Sequence, residues 1–282
     1  MKKILYLTFF FAFCSYAAAQ APNNAQKYLY EVSYLISYQP DSTDISTLQK
    51  DVLFTLLLGD KMSVYVNNEK IKLDSILNGI ENGSIASTNI LANMSLMPKP
   101  ASNAKIFKYY DKQIIAYNDM ISAQNYEYTE PLNIGKWKVH NDKKVIGSYT
   151  CQLAEIEYGG REWLAYFTDE IPISDGPYKF NGLPGLILAV TDSESFFKFE
   201  FIGLKKNSSF DLNILFAVGN KYEVSKKEFF RIREDFLTNP IPYMEQEGAV
   251  FDNANKKKVK EMYAQRKKRN NNPIELKYCR MY

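Results

Sequence analysis

The stretch Lys27–Gln39, KYLYEVSYLISYQ, alternates between two kinds of side chain along its length. Tyr28, Tyr30, Val32, Tyr34, Ile36 and Tyr38 fall on one face of an extended chain, while Glu31, Ser33, Ser37 and Gln39 dominate the other. A period of two is the repeat of a β-strand, so the stretch reads as one long, half-buried strand. Aromatic side chains suit such a pleated surface. The chain is rich in them, with 21 Tyr and 18 Phe against two Trp.

The same reading extends downstream. DVLFTLLLGDKMSVYVN, residues 51–67, predicts two strands around Gly59-Asp60, and Ile71 to Leu77 predicts a short helix. The polar stretch from Asn78 to Asn103 has little periodicity and reads as a long loop. KIFKYYDKQIIAYN predicts a hairpin turning at Asp111-Lys112, and YEYTEPL a strand stopped by Pro131. Further strands follow, with turn signals at Asn141-Asp142 and Gly159-Gly160, then GLILAVTD and FFKFEFIGLKK joined near Ser193 to Ser195.

Near the end the period changes. Ser225 and Glu228 have capping-box spacing, Phe229, Ile232, Phe236 and Leu237 form a helical stripe, and Pro240 stops it. NKKKVKEMYAQRKKRNN predicts a second helix, with eight Lys/Arg from Lys256 to Arg269 against one Glu. No repeat or linker divides the chain. The fold expected is mainly β (a β-rich α+β class). It is a large antiparallel sheet, curved or a half-open barrel, with a few helices placed mostly at the C-terminal end.

The first twenty residues, MKKILYLTFFFAFCSYAAAQ, join a basic start to an apolar run and small residues at Ala17 and Ala19. That is the plan of a cleaved secretory leader over residues 1–19, leaving residues 20–282 as a single domain. The apolar run is short of the roughly 20 residues a spanning helix needs. Phe13 before Cys14 argues against lipidation. The protein is therefore expected outside the cytoplasm, periplasmic or secreted. Losing Lys2 and Lys3 takes the formal charge from +3 to +1, which carries no nucleic-acid-binding signal. Cys151 and Cys279 then remain; in an oxidising compartment they can pair or stay free, and sequence does not decide the geometry.

Catalytic signals are sparse. The chain has one histidine, His140, beside a turn signal, and no nucleophile elbow. One His and two Cys do not make an ordinary zinc site. Asp169, Glu170 and Asp175 fall within seven residues and could serve as an acid–base pair or hold a hard cation, but they follow no fixed motif. GPYKFNGLPG has neither P-loop nor dinucleotide spacing. No cofactor and no metal are expected.

Residues Ile146 to Asp192 carry a resemblance. The hexapeptide Gly182, Leu183, Pro184, Gly185, Leu186, Ile187 stands after an Ile-Pro-Ile/Gly-Pro loop from Ile171 to Pro177. Upstream lie Gly147, Tyr149 and Cys151, then Gly160, Arg161 and Trp163; NNPIEL, residues 271–276, stands near the C-terminal end. This ordered set resembles the GLPGLI family of secreted proteins, known chiefly from Bacteroidota. The chain differs in having Tyr166-Phe167 where members often carry Trp and an aromatic. The resemblance implies a secreted or periplasmic accessory protein, often encoded near TonB-dependent outer-membrane receptors, and assigns no reaction.

Within the hexapeptide, Leu183-Pro184-Gly185-Leu186 suits a type II turn with positive φ at Gly185, while Gly182 permits close approach or another unusual φ. The loop is expected to act as a rigid corner beside a groove of Arg161, Trp163, Asp175 and Tyr178. Three functions compete. The first is a non-enzymatic envelope module binding an outer-membrane protein or a peptide or lipid-like ligand. The others are a structural envelope component and a hydrolase using Asp169, Glu170 and Asp175. The basic run from Lys256 to Arg269 adds a candidate contact with an anionic envelope surface.

Overall fold

The computed structural model describes residues 28–86, 94–206, 215 and 221–279, so the leader expected over residues 1–19 lies outside the described residues. The strands are β1 (Tyr28–Tyr38), β2 (Gln49–Gly59), β3 (Met62–Asn67), β4 (Lys105–Tyr109), β5 (Ile114–Ile121) and β6 (Gln124–Pro131). They continue with β7 (Lys138–Ile146), β8 (Tyr149–Tyr158), β9 (Arg161–Thr168), β10 (Leu186–Asp192), β11 (Phe197–Lys206) and β12 (Lys221–Glu223). The helices are α1 (Asn68–Glu81), α2 (Lys226–Thr238), α3 (Pro240–Gln246), α4 (Asn253–Arg269) and α5 (Leu276–Cys279).

All twelve strands join one open sheet in the order β12-β6-β5-β4-β3-β2-β1-β11-β10-β9-β8-β7. Two meanders therefore lie back to back, with β1 bonded to β2 on one side and β11 on the other. Neighbours are antiparallel except for β12, which runs parallel to β6. The alternation that reveals β1 in the sequence is an alternation of burial: Val32, Tyr34 and Ile36 are buried and the residues between them half-buried.

One face of the sheet encloses the main core. Tyr34, Leu56, Ile106 and Ile115 from one meander share it with Trp163, Phe167, Ile187 and Phe199 from the other. On the opposite face α1 covers Leu57, Val64 and Phe107 through Ile71. A third cluster forms where Phe229 and Phe236 of α2 pack on Ile121 and Tyr128. Ser225 caps α2 by accepting a hydrogen bond from the Glu228 amide at 3.1 Å, as its spacing predicts.

Three expectations need correction. Asn141-Asp142 makes no turn: β7 runs through it with a register shift between Val139 and Lys143, and the chain reverses at Gly147, whose φ is 60°. Glycine takes that conformation without a Cβ penalty, and the Asn-Asp pair is absorbed as a bulge. Pro240 ends α2 but also opens α3, where its missing N–H costs nothing. The helix expected over residues 71–77 is longer, Asn68–Glu81, and takes the first residues from the expected loop.

Candidate functional site: a cavity between the sheet and the C-terminal helices

The hexapeptide loop is fixed before anything else is. A Cβ on Gly185 would stand 2.0 Å from the Thr168 carbonyl oxygen, so only glycine permits this approach to the end of β9. Gly185 does not take the positive φ expected of a type II turn; Gly182 does, at 94°. The Leu186 amide donates to Ile171 O at 3.0 Å and the Ile187 amide to Asp175 O at 2.9 Å. From β1, the Tyr34 hydroxyl donates to Ile187 O at 2.8 Å.

Asp175, fully buried, is the polar anchor of this loop. Its carboxylate accepts from Ser63 Oγ at 2.5 Å, Tyr110 Oη at 2.6 Å and the Gly176 amide at 2.6 Å, and it pairs with Lys108. Lys108 also donates to Gly176 O at 2.7 Å and Phe180 O at 3.2 Å. Burial pushes the Lys108 pKa down, and Asp175 works against that shift.

Two further cations tie the same segment to the C-terminal NNPIEL. Lys179 donates to Glu275 Oε1 at 2.6 Å and Tyr128 Oη at 2.8 Å, pairs with Glu130, and lies 4.8 Å from the Tyr117 ring centroid. Lys226 reaches Glu130 at 2.6 Å and Glu275 at 2.7 Å, and Tyr178 donates to Glu275 at 2.7 Å. Burial alone would raise the Glu275 pKa. The ammonium groups of Lys179 and Lys226 outweigh it and hold the carboxyl at about 2.

Arg161 grips the residues just before. It donates to Asp192 at 3.0 Å, Pro273 O at 2.8 Å, Ile274 O at 3.2 Å and the Asn272 side chain, with its guanidinium 4.9 Å from the Phe197 ring centroid. Burial raises the Asp192 pKa, with a backbone hydrogen bond from Phe197 and the Arg161 charge opposing it.

These ties leave a cavity of about 490 Å³ between the sheet and the C-terminal helices. Alternate residues of six strands form its floor: Ile36 and Tyr38, Phe54, Tyr65, Ile106, Tyr117 and Asp119, and Phe197 and Phe199. Two stacked ring pairs lie on the floor. Tyr38 and Phe197 stack at 6.3 Å and 8°, and Phe54 and Tyr65 at 5.0 Å and 10°. Arg233 and Phe236 of α2, Tyr263 and Arg266 of α4, and Pro273 and Ile274 supply the opposite wall.

The cavity has one acidic group on its floor. Asp119 shares a long, 3.5 Å hydrogen bond with Tyr117 Oη. Burial raises its pKa and the neighbouring Arg233 opposes the rise. Burial chiefly, helped by Asp119, also pushes the Tyr117 phenol up.

The sequence-predicted residues are scattered around this site. Arg161, Trp163 and Asp175 do not line a groove; with Tyr178 they are buried at 5%, 1%, 0% and 9% exposure, and only Tyr178 reaches the cavity wall. Asp169 and Glu170 are exposed, and Glu170 accepts from the Thr150 amide at 2.7 Å. They do not converge with Asp175, whose carboxylate is fully bonded inside the protein. Gly182 and Pro184 stand at the surface, lining a second cleft of about 770 Å³ beside Trp137. His140 is on β7 and faces Glu155 at 3.1 Å.

The Cys151–Cys279 pairing is not formed: Cys151 is a buried free thiol, raised to about 11 by burial. Geometry explains this. Lys277 bonds to Gly159 at the far end of β8, eight residues along a strand from Cys151, or roughly 26 Å at about 3.3 Å per residue.

Sequence reasoning missed Lys108, Lys179, Glu130, Asp119, Arg233 and the individual role of Arg266. Asp119 had a detectable signal, since it shares its period-two face with Ile115, Tyr117 and Ile121.

Among the described residues, no group of three or more His, Cys, Asp or Glu is placed to hold a metal ion. Nor is any described helix long and apolar enough to cross a membrane. No curated protein matches the chain. Its fold is similar to the structures of PNGF-II in the C2 and P21 space groups, each at TM-score 0.53 and 13% identity. Each alignment covers 73% of this chain, and this chain spans about a third (33%) of that one. Residues 159–189 match a family model described as a protein of unknown function, Porph_ging, and that span holds Arg161, Asp175, Lys179 and the whole hexapeptide.

Proposed function

We propose that this protein is a non-enzymatic binding module of the cell envelope, which takes a small ligand into the cavity between its sheet and its C-terminal helices. The observation that carries the reading is the 490 Å³ cavity itself, floored by stacked aromatic rings and walled by α2, α4 and the C-terminal segment. That volume lies within the roughly 300–1,000 Å³ of ordinary small-molecule sites. The acids a hydrolase would need do not support the rival reading, because Asp175 is buried against Lys108 and distant in role from Asp169 and Glu170.

Location outside the cytoplasm, as a secreted or periplasmic accessory of an outer-membrane protein such as a TonB-dependent receptor, belongs to the same proposal. It rests on the leader-like residues 1–19 and on the GLPGLI resemblance. Peripheral contact with an anionic envelope surface is supported by α4, where Lys257, Lys258, Lys260 and Arg269 have no carboxylate partner among the described residues.

The test is native mass spectrometry of the protein purified gently from its own cells, followed by solvent extraction. A bound mass that leaves on extraction is expected. A ligand-free protein at full occupancy of the native fold, with no partner on crosslinking in whole membranes, overturns the reading.

A further inference from the structure

We infer that the cavity takes an amphipathic anion, an apolar chain or ring system carrying one anionic head group; this rests on the binding-module reading above. The floor provides the apolar half. Ile36, Phe54, Ile106 and Phe199 expose only carbon to the cavity, and the stacked Tyr38–Phe197 pair extends that surface. Against this surface a fully polar ligand would leave its own hydrogen-bonding groups without partners.

The charge of the wall decides the other half. Among the described residues, four ionisable side chains line the cavity: Asp119, Arg233, Arg266 and Lys267. Arg233 stands against Asp119 and Tyr117, so those two charges offset each other. Lys267 is paired with Glu234 and donates to Thr238 Oγ1 at 3.0 Å. Arg266 lies 6.0 Å from the Tyr263 ring centroid and has no carboxylate partner among the described residues. Among the described residues, the cavity wall therefore carries one positive charge, Arg266, without a carboxylate partner.

The helix itself does not require that charge. Arg266, Lys267, Lys268 and Arg269 all fall in the last turn of α4, four cations facing a dipole end equivalent to roughly half a charge. A guanidinium presents a planar fork that fits a carboxylate or phosphate with two parallel hydrogen bonds. With its head at Arg266, the ligand's apolar body lies along the ring-lined floor. The head stays in reach of water, since Arg266 is exposed, and this avoids burying a bare charge.

Isothermal titration of the purified protein with decanoic acid, decyl phosphate and 1-decanol separates the possibilities. Both anions are expected to bind, with 1-decanol at least tenfold weaker, and Arg266→Glu should weaken the anions at least tenfold while leaving 1-decanol unchanged. Tighter binding of decyl phosphate than of decanoate would assign the head to a phosphate source, and the reverse order to a carboxylate. Arg266 is exposed, so an unchanged unfolding midpoint verifies that the variant is folded. If 1-decanol binds as tightly as the anions and Arg266→Glu alters nothing, the anion inference fails and the binding module stands. If none of the three probes binds, both readings fail.

Discussion

Lys179 and Glu275 are 96 residues apart in the chain and 2.6 Å apart in space. Both side chains are almost completely buried, at 0% and 3% exposure. The segment before the hexapeptide is thus welded to the C-terminal NNPIEL by charge as well as by packing. The segment before the hexapeptide and the NNPIEL segment each supply half of one buried network.

Removing one member of that network should be severe. Glu275→Gln leaves the Lys179 ammonium among Tyr117, Tyr128 and Tyr178 with Glu130 as its remaining carboxylate. Breaking a buried pair typically costs about 3–5 kcal/mol. Urea unfolding should show that loss as a lower midpoint at unchanged slope. A loss below about 1 kcal/mol would place the network among exposed pairs of little consequence.

The same carboxyl predicts an acid limb. Its folded pKa is about 2, against 4.5 for the free group, so the unfolded chain takes up the proton first as pH falls. The stabilisation is full above about pH 4.5 and is lost as pH falls towards 2. A shift of this size corresponds to on the order of 3 kcal/mol. Thermal unfolding from pH 6 to pH 2 should fall steeply over that window for the native chain. Glu275→Gln should flatten the fall.

The glycines should rank by what a methyl group meets. Gly185→Ala forces a Cβ to within 2.0 Å of backbone at Thr168, with no flexible side chain to yield, and should fail to accumulate as folded protein. Gly182→Ala meets nothing closer than 3.7 Å but keeps a φ of 94°, at a cost of about 1–2 kcal/mol. Gly203→Ala meets nothing within 4 Å and should stay within about 0.5 kcal/mol of the parent. Soluble yield and melting temperature read the order directly.

Cys151 should be chemically silent. Its thiol is buried and raised to about 11, and the thiolate is the reactive form. Iodoacetamide mapping should leave Cys151 unmodified in the folded protein and label it fully in denaturant without reductant. Labelling that requires reductant would reveal a disulfide and contradict the free thiol.

How far the sequence carries depends on the range of the interaction. Periodicity in KYLYEVSYLISYQ and the Ser225–Glu228 cap are local, and both elements stand where their residues predict them. Lys108 shows the opposite. Two positions after Ile106, it shares that residue's face of β4, but nothing local names its partner, because Asp175 is 67 residues away. The Asn141-Asp142 turn fails for a similar reason: β8 pairs through it and converts a local turn preference into a bulge.

By itself, the sequence determined the β-rich class, the helical C-terminal end and the close turn chemistry of the hexapeptide loop. Each rests on side-chain period, turn chemistry or composition, which neighbouring residues dictate. Only the tertiary structure decided that Gly185 answers to Thr168, that Arg161 and Asp175 are internal ties, and that Cys151 stays free. It alone also brought Asp119, Arg233 and Arg266 around one cavity. The physical reason is that these contacts join residues tens to over a hundred positions apart. Burial and charge compensation there are set by which strands become neighbours, and no local pattern encodes that.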